Sequence, residues 1–126
     1  MILIDTNILI EYLRGDSQAQ AFIQKYGKAN LVINSIIAME LYQGARNKAE
    51  FVKIKKELLG FIMVDINEAI SQTALRLEER YAMSHKVSIP DYLIAATALV
   101  YDLELRTHNL KDFRFIPNIK VSNTLI

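Results

Sequence analysis

The sequence predicts an α/β domain with a mainly parallel central sheet of four to five strands, flanked by helices. Short β-rich apolar runs alternate with amphipathic helical stretches, the rhythm of successive β–α–β units. The first run, Met1-Ile2-Leu3-Ile4, lacks polar alternation, as expected of a strand covered on both faces. Only four Gly and two Pro occur in 126 residues, so there is no linker, repeat or low-complexity tract to divide the chain. It reads as a single domain over residues 1–126, long enough to bury roughly two-thirds of its unfolded surface.

The elements follow in order. After the first strand, Asp5-Thr6-Asn7 breaks the run, and Ile8 to Leu13 forms a short helix stopped by Gly15. Asp16 or Ser17 caps a second helix with Ala19, Phe22, Ile23 and Tyr26 on one face, ended by Gly27. Leu31-Val32-Ile33 is the second strand. Asn34 or Ser35 caps a third helix, whose apolar face is read as Ile36, Met39 and Tyr42, with Ile37 and Leu41 alongside. Glu50 to Leu59 is a fourth helix and Phe61 to Val64 a third strand. Asn67 opens a long amphipathic helix through Ile70, Ala74, Leu77 and Tyr81. Ser88-Ile89-Pro90-Asp91 starts the next with a capping Ser, an early Pro and an acid three residues on. Leu103 to Thr107 is a fourth strand, and a short fifth lies near Ile119-Lys120-Val121.

Composition removes whole classes of function. Without cysteine there is no disulfide framework, Cys-ligated zinc or thiol nucleophile, which fits a reducing compartment. The net charge of +1 provides no bulk attraction to polyanions, so any nucleic-acid contact must come from a local basic patch. No apolar run approaches the ~20 residues of a membrane helix, and the N-terminus lacks the basic start of a signal peptide. The expectation is a soluble, cytoplasmic protein. Neither GxxxxGK[ST] nor GxGxxG is present, and His85 and His108 fit no zinc-binding spacing.

Chemistry is expected beyond the carboxyl ends of the strands, where open parallel sheets place their sites. Four acids stand at such positions: Asp5 after the first strand, Glu40 in a largely apolar helix, Asp91 in a first helical turn, and Asp112 after the last clear strand. Taken singly, Asp5 reads as a helix cap, Asp91 as a complement to the helix dipole and Asp112 as a loop acid. Glu40 is harder to set aside, because Ile36-Ile37-Ala38-Met39 and Leu41 surround it and an unpaired buried carboxylate is costly. Taken together, converging carboxylates repel, and hard divalent cations relieve that repulsion. An oxygen-only set suits Mg²⁺ or Mn²⁺, ions that activate water and stabilise charge on a phosphodiester.

Four motifs in order carry a family resemblance: Ile4-Asp5-Thr6-Asn7-Ile8-Leu9-Ile10, Ser35-Ile36-Ile37-Ala38-Met39-Glu40-Leu41, Ile89-Pro90-Asp91-Tyr92-Leu93-Ile94-Ala95-Ala96, and Thr107-His108-Asn109-Leu110-Lys111-Asp112-Phe113. Across nearly the whole chain this resembles the PIN-domain ribonucleases, specifically the VapC-type toxins of toxin–antitoxin pairs. The resemblance implies a PIN-like three-layer fold and a Mg²⁺- or Mn²⁺-dependent endoribonuclease. Asp5 and Asp91 would be direct metal ligands, with Glu40 completing the pocket through the metal or its water. Asn109 stands where many relatives carry an acid, so Asp112 is taken as the fourth acid and Asn109 as a polar contact. Thr6, Asn7 and Thr107 would orient the acids or bound water. A cognate antitoxin and homodimerisation are implied as well.

Arg46, Lys48 and, from another helix, Arg14 form a basic set able to hold RNA phosphates, although a solvated helix face explains the same pattern. Tyr12, Tyr42 and Tyr92 are candidates either for base stacking or for packing. The alternative function is a non-catalytic RNA- or protein-binding module on the same fold. A phosphoryl-transfer or receiver domain ranks third, because the Asp nucleophile and paired Lys it needs are missing from the expected strand ends.

Overall fold

The computed structural model describes residues 1–126. The chain runs through β1 (Ile2–Ile4), α1 (Thr6–Leu13), α2 (Ser17–Tyr26), β2 (Leu31–Asn34), α3 (Ser35–Gln43), α4 (Lys48–Leu58), β3 (Ile62–Val64), α5 (Glu68–Tyr81), α6 (Ile89–Val100), β4 (Glu104–Arg106) and β5 (Lys120–Ser122). Two 3-10 turns, Lys28–Asn30 and Leu110–Asp112, precede β2 and follow β4. All five strands are parallel, in the order β3-β2-β1-β4-β5, with Leu3 in register with Val32 on one side and Leu105 on the other.

That order arises in two steps. The chain moves outward from β1 to β2 and β3, then returns past β1 to lay down β4 and β5. Right-handed crossovers then put the helices of the two halves on opposite faces of the sheet. Ile2, Leu3, Ile4 and Leu31–Asn34 are all buried, which explains why their sequences do not alternate. One cluster of 27 buried hydrophobic residues spans the sheet and its helices. No helix is long and apolar enough to cross a membrane.

Helix starts follow side-chain caps. Asp5, Asp16, Asn34, Asn47, Asn67 and Ser88 each accept a hydrogen bond from a backbone N–H of the helix they open. Asp16 and Asn34 therefore cap where Ser17 and Ser35 were the alternatives. Because Asp5 caps directly, α1 begins at Thr6 rather than Ile8; Asn47 likewise starts α4 at Lys48 rather than Glu50.

The expected apolar face of α3 is wrong. Ile37, Ala38 and Leu41 are buried, whereas Met39 is 51% exposed. Nearly every residue from Ile36 to Leu41 is apolar, so the segment carries no phase of its own. The phase comes from Asn34, which is fully buried. Its Oδ1 accepts from the Ile37 N–H at 2.8 Å and its Nδ2 donates to the Thr97 hydroxyl of α6 at 3.0 Å.

Candidate active site

The return of the chain past β1 leaves a crevice at the carboxyl ends of β1 and β4, the topological switch point of the sheet. Asp5 leaves β1 there and Thr107 leaves β4 beside it. One Asp5 oxygen accepts from the Thr6 N–H at 2.8 Å, and the other accepts from the Thr107 hydroxyl at 2.7 Å. Asp5 is thus a helix cap whose second oxygen is held by Thr107 at the crevice. Burial pushes its carboxyl above the ordinary value, against the opposing effect of both donors, and nearby Asp112 adds to the rise.

The other acids arrive from three separate elements. Glu40 lies on α3, where its Oε1 accepts from the Thr6 hydroxyl at 2.8 Å. Asp91 occupies the first turn of α6, its N–H donating to Ser88 Oγ at 3.3 Å. Asp112 ends the second 3-10 turn and accepts a hydrogen bond from the Asn109 side chain. Asp91 registers the gathering. Partial burial and then the fields of Asp5, Asp112 and Glu40 push its carboxyl up to about 6, against a lowering by Ser88. No Lys, Arg or His forms an ion pair with any of the four.

The polar residues around them form one network. Thr107 Oγ1 also accepts from the Asn109 N–H at 3.0 Å and lies 3.5 Å from Asn7 Nδ2. Asn7 Oδ1 accepts from the His108 N–H at 3.4 Å, and the His108 ring reaches Glu11 at 2.9 Å. Thr6, Asn7, Thr107 and Asn109 therefore all touch an acid or one of its partners. Sequence reasoning named Asn34 as a cap but missed its bond to Thr97, which fixes the start of Glu40's helix against Asp91's helix. The only signal was an Asn at a strand end, indistinguishable from an ordinary cap.

Geometry and donor chemistry differ in what they offer a metal ion. No three carboxylates or imidazoles stand close enough, as the side chains lie, to hold one ion jointly. The donor chemistry nevertheless suits a hard divalent cation: oxygen ligands only, partly desolvated, mutually repelling and without an ion-pair partner. Glu40, Asp91 and Asp112 are only half-buried.

The expected basic set divides. Arg14 and Arg46 line a groove of about 570 Å³ that also includes Glu40, with Ile10, Leu13 and Ile54 supplying apolar surface. Lys48 lies outside that lining, exposed at the start of α4. Arg46 is already engaged by Glu50 through two nitrogens at 3.0 and 3.1 Å. Of the tyrosines, Tyr92 is buried and unavailable for stacking on a base. Tyr42 stacks on Phe51, and Tyr12 donates to Glu57 at 3.0 Å.

Residues 2–116 match the model of the PIN domain. The chain belongs to the PIN-domain family. Within it, the chain is 31% identical over 123 residues to Ribonuclease VapC19 of Mycobacterium tuberculosis, covering 95% of this chain and 98% of that protein. It is 32% identical to Ribonuclease VapC of Rickettsia bellii, covering 95% and 93%. These similarities assign this PIN protein to the VapC group. A toxin–antitoxin complex from Klebsiella pneumoniae contains a chain 31% identical, with a TM-score of 0.82 over 100% of this chain and 98% of that one. DNA-bound VapBC from Salmonella typhimurium shares the fold, at a TM-score of 0.86 and 22% identity, with 96% of each chain covered. The five-stranded parallel sheet with flanking helices is therefore the PIN-like three-layer α/β fold.

Proposed function

We propose that this chain is a single-domain, divalent-metal-dependent endoribonuclease and the toxin of a toxin–antitoxin pair. The observation that carries this reading is the convergence of Asp5, Glu40, Asp91 and Asp112 without an ion-pair partner, at a site where a PIN protein of the VapC group is expected to cut RNA. Asp5, Asp91 and Glu40 would hold Mg²⁺ or Mn²⁺, with Asp112 as the fourth acid. A bound divalent cation supplies an activated water and screens charge on the scissile phosphodiester.

The protein's own groups prepare the pocket. Thr107 and the Thr6 N–H hold both oxygens of Asp5, and the Thr6 hydroxyl orients Glu40. Asn7 keeps Thr107 and the His108 backbone together, while Asn109 restrains Asp112. With the cation absent, Asp91 takes up a proton as pH falls towards 6.

The Klebsiella toxin–antitoxin complex supports a cognate antitoxin as partner. The groove beside Glu40, apolar along Ile10, Leu13 and Ile54 and charged at Arg14 and Arg46, suits a segment of that antitoxin. Exposed Met39, Phe51 and Val52 on α3 and α4 supply apolar surface for a homodimer. An RNA substrate puts the work of the protein in the cytoplasm.

Purified protein incubated with a cellular RNA pool should yield discrete fragments with Mg²⁺ or Mn²⁺ and none with EDTA. Asp91→Asn should abolish them. RNA left intact under every metal condition, yet bound by the protein, would replace this reading with the non-catalytic binding module.

A further inference from the structure

Outside the lining of the Arg14–Arg46 groove, two loops meet through aromatic rings. His85, between α5 and α6, stacks on Phe115, with ring centroids 3.8 Å apart and an interplanar angle of 9°. Tyr81 sets its edge against both, at 5.7 and 4.9 Å. All three rings are partly exposed, and Tyr81 and Phe115 also pack against the core, so the cluster sits at the rim between core and solvent. It borders the acids: His85 precedes Ser88, the cap of Asp91's helix, by three residues, and Phe115 follows Asp112 by three.

Cations flank this cluster in sequence. Lys86 and Arg114 are the chain neighbours of the two stacked rings, and Lys111 adjoins Asp112; all three are exposed and form no ion pair. Arg46, across the pocket, is already satisfied by Glu50. Unpaired cations next in sequence to a partly exposed aromatic stack match the chemistry of single-stranded nucleic acid, in which phosphates and base faces alternate. A duplex hides its base faces and cannot use such a platform.

We infer that single-stranded RNA enters the acid pocket over the wall formed by the α5–α6 loop and residues 110–115, with a base on the His85–Phe115 stack and phosphates on Lys86 and Arg114. This rests on the ribonuclease reading and adds the substrate's path and its strandedness.

The test is binding of a fluorescein-labelled, mixed-sequence single-stranded RNA oligonucleotide by Asp91→Asn protein, together with cleavage kinetics in the active protein. Combining Lys86→Ala with Arg114→Ala should weaken binding about tenfold at low salt. It should also reduce the slope of log affinity against log salt by about 1.4, the release expected for two single-strand phosphates. Phe115→Leu keeps an apolar side chain but removes the stack. It should raise KM about tenfold with kcat unchanged, and Phe115→Tyr should restore the wild-type value. Duplex RNA should compete poorly. Thermal melting of each variant separates these effects from loss of fold.

Unchanged affinity, salt slope and KM in a protein that still cleaves would overturn the path and leave the ribonuclease standing. Binding that depends on Lys86, Arg114 and Phe115 without any metal-dependent cleavage would uphold the surface and overturn the ribonuclease. Equal competition by duplex RNA would overturn the stacking. Failure of the Asp91→Asn protein to bind the oligonucleotide would overturn the path.

Discussion

Asp91 shows what the pocket costs the metal-free protein. Its carboxyl lies near 6 in the fold against an ordinary 3.8, because burial and three acidic neighbours disfavour the charge. The folded state therefore binds this proton more tightly than the unfolded chain does. The contribution to stability is fully present below pH 4 and is lost as pH rises through 6. Metal-free protein should lose about 1 kcal/mol from this group between those limits, a figure reduced from the full shift because Asp91 is partly solvated. Asp91→Asn should flatten that decline and raise the melting temperature at pH 7. Urea unfolding across the pH range in EDTA would show it, and a wild-type curve parallel to that of the variant would contradict it.

Among the elements, α3 has the most to align, because it must deliver Glu40 to the pocket while burying Ile37, Ala38 and Leu41. Its anchor is Asn34, whose side chain closes the first turn and reaches Thr97; the Thr97 hydroxyl in turn donates to the Leu93 carbonyl at 2.8 Å. Asn34→Ala removes a cap worth about 1 kcal/mol and leaves buried polar groups without their partner, so the expected loss is about 2–3 kcal/mol. Equilibrium denaturation measures that loss, and residual RNA cleavage at a temperature where the variant stays folded should also fall. A loss no larger than that of an exposed cap such as Asn47→Ala would show that the Thr97 bond contributes nothing.

For the whole molecule, the return of the chain past β1 matters more than any single side chain. It brings Asp91 and Asp112 back beside Asp5 and Glu40, from positions spread over more than a hundred residues, at the carboxyl ends of the central strands. Gathering like charges opposes folding, so a divalent cation bound only to the native state should stabilise it through mass action. Mg²⁺ or Mn²⁺ at about a hundredfold excess over its dissociation constant should add about 2.7 kcal/mol. The gain should be larger at pH 7.5 than at pH 5, where protons compete for the carboxylates. Asp5→Asn preserves a capping side chain and should remove most of the gain in calorimetry. Equal stabilisation of wild type and Asp5→Asn would mean that the cation binds elsewhere.

Local sequence determined a good deal of this protein. Hydrophobic runs against amphipathic stretches specified the strands, the helices and a parallel sheet, because fully buried strands need no polar alternation. Capping chemistry marked the starts of α2, α3, α5 and α6, while α1 and α4 begin two residues before the expected positions because Asp5 and Asn47 cap them. The candidate acids stood out because Asp5 and Asp91 sit at element boundaries and Glu40 interrupts an apolar helix. What remained illegible depended on contacts distant in sequence. The phase of α3 was decided by Asn34 meeting Thr97, since an almost wholly apolar segment has no preferred face. Likewise, a list of basic residues could not show that Arg46 is held by Glu50 while Lys86 and Arg114 are free beside the His85–Phe115 stack. Periodicity is a property of neighbours along the chain; pairing and desolvation are properties of neighbours in space, and only the fold supplies those.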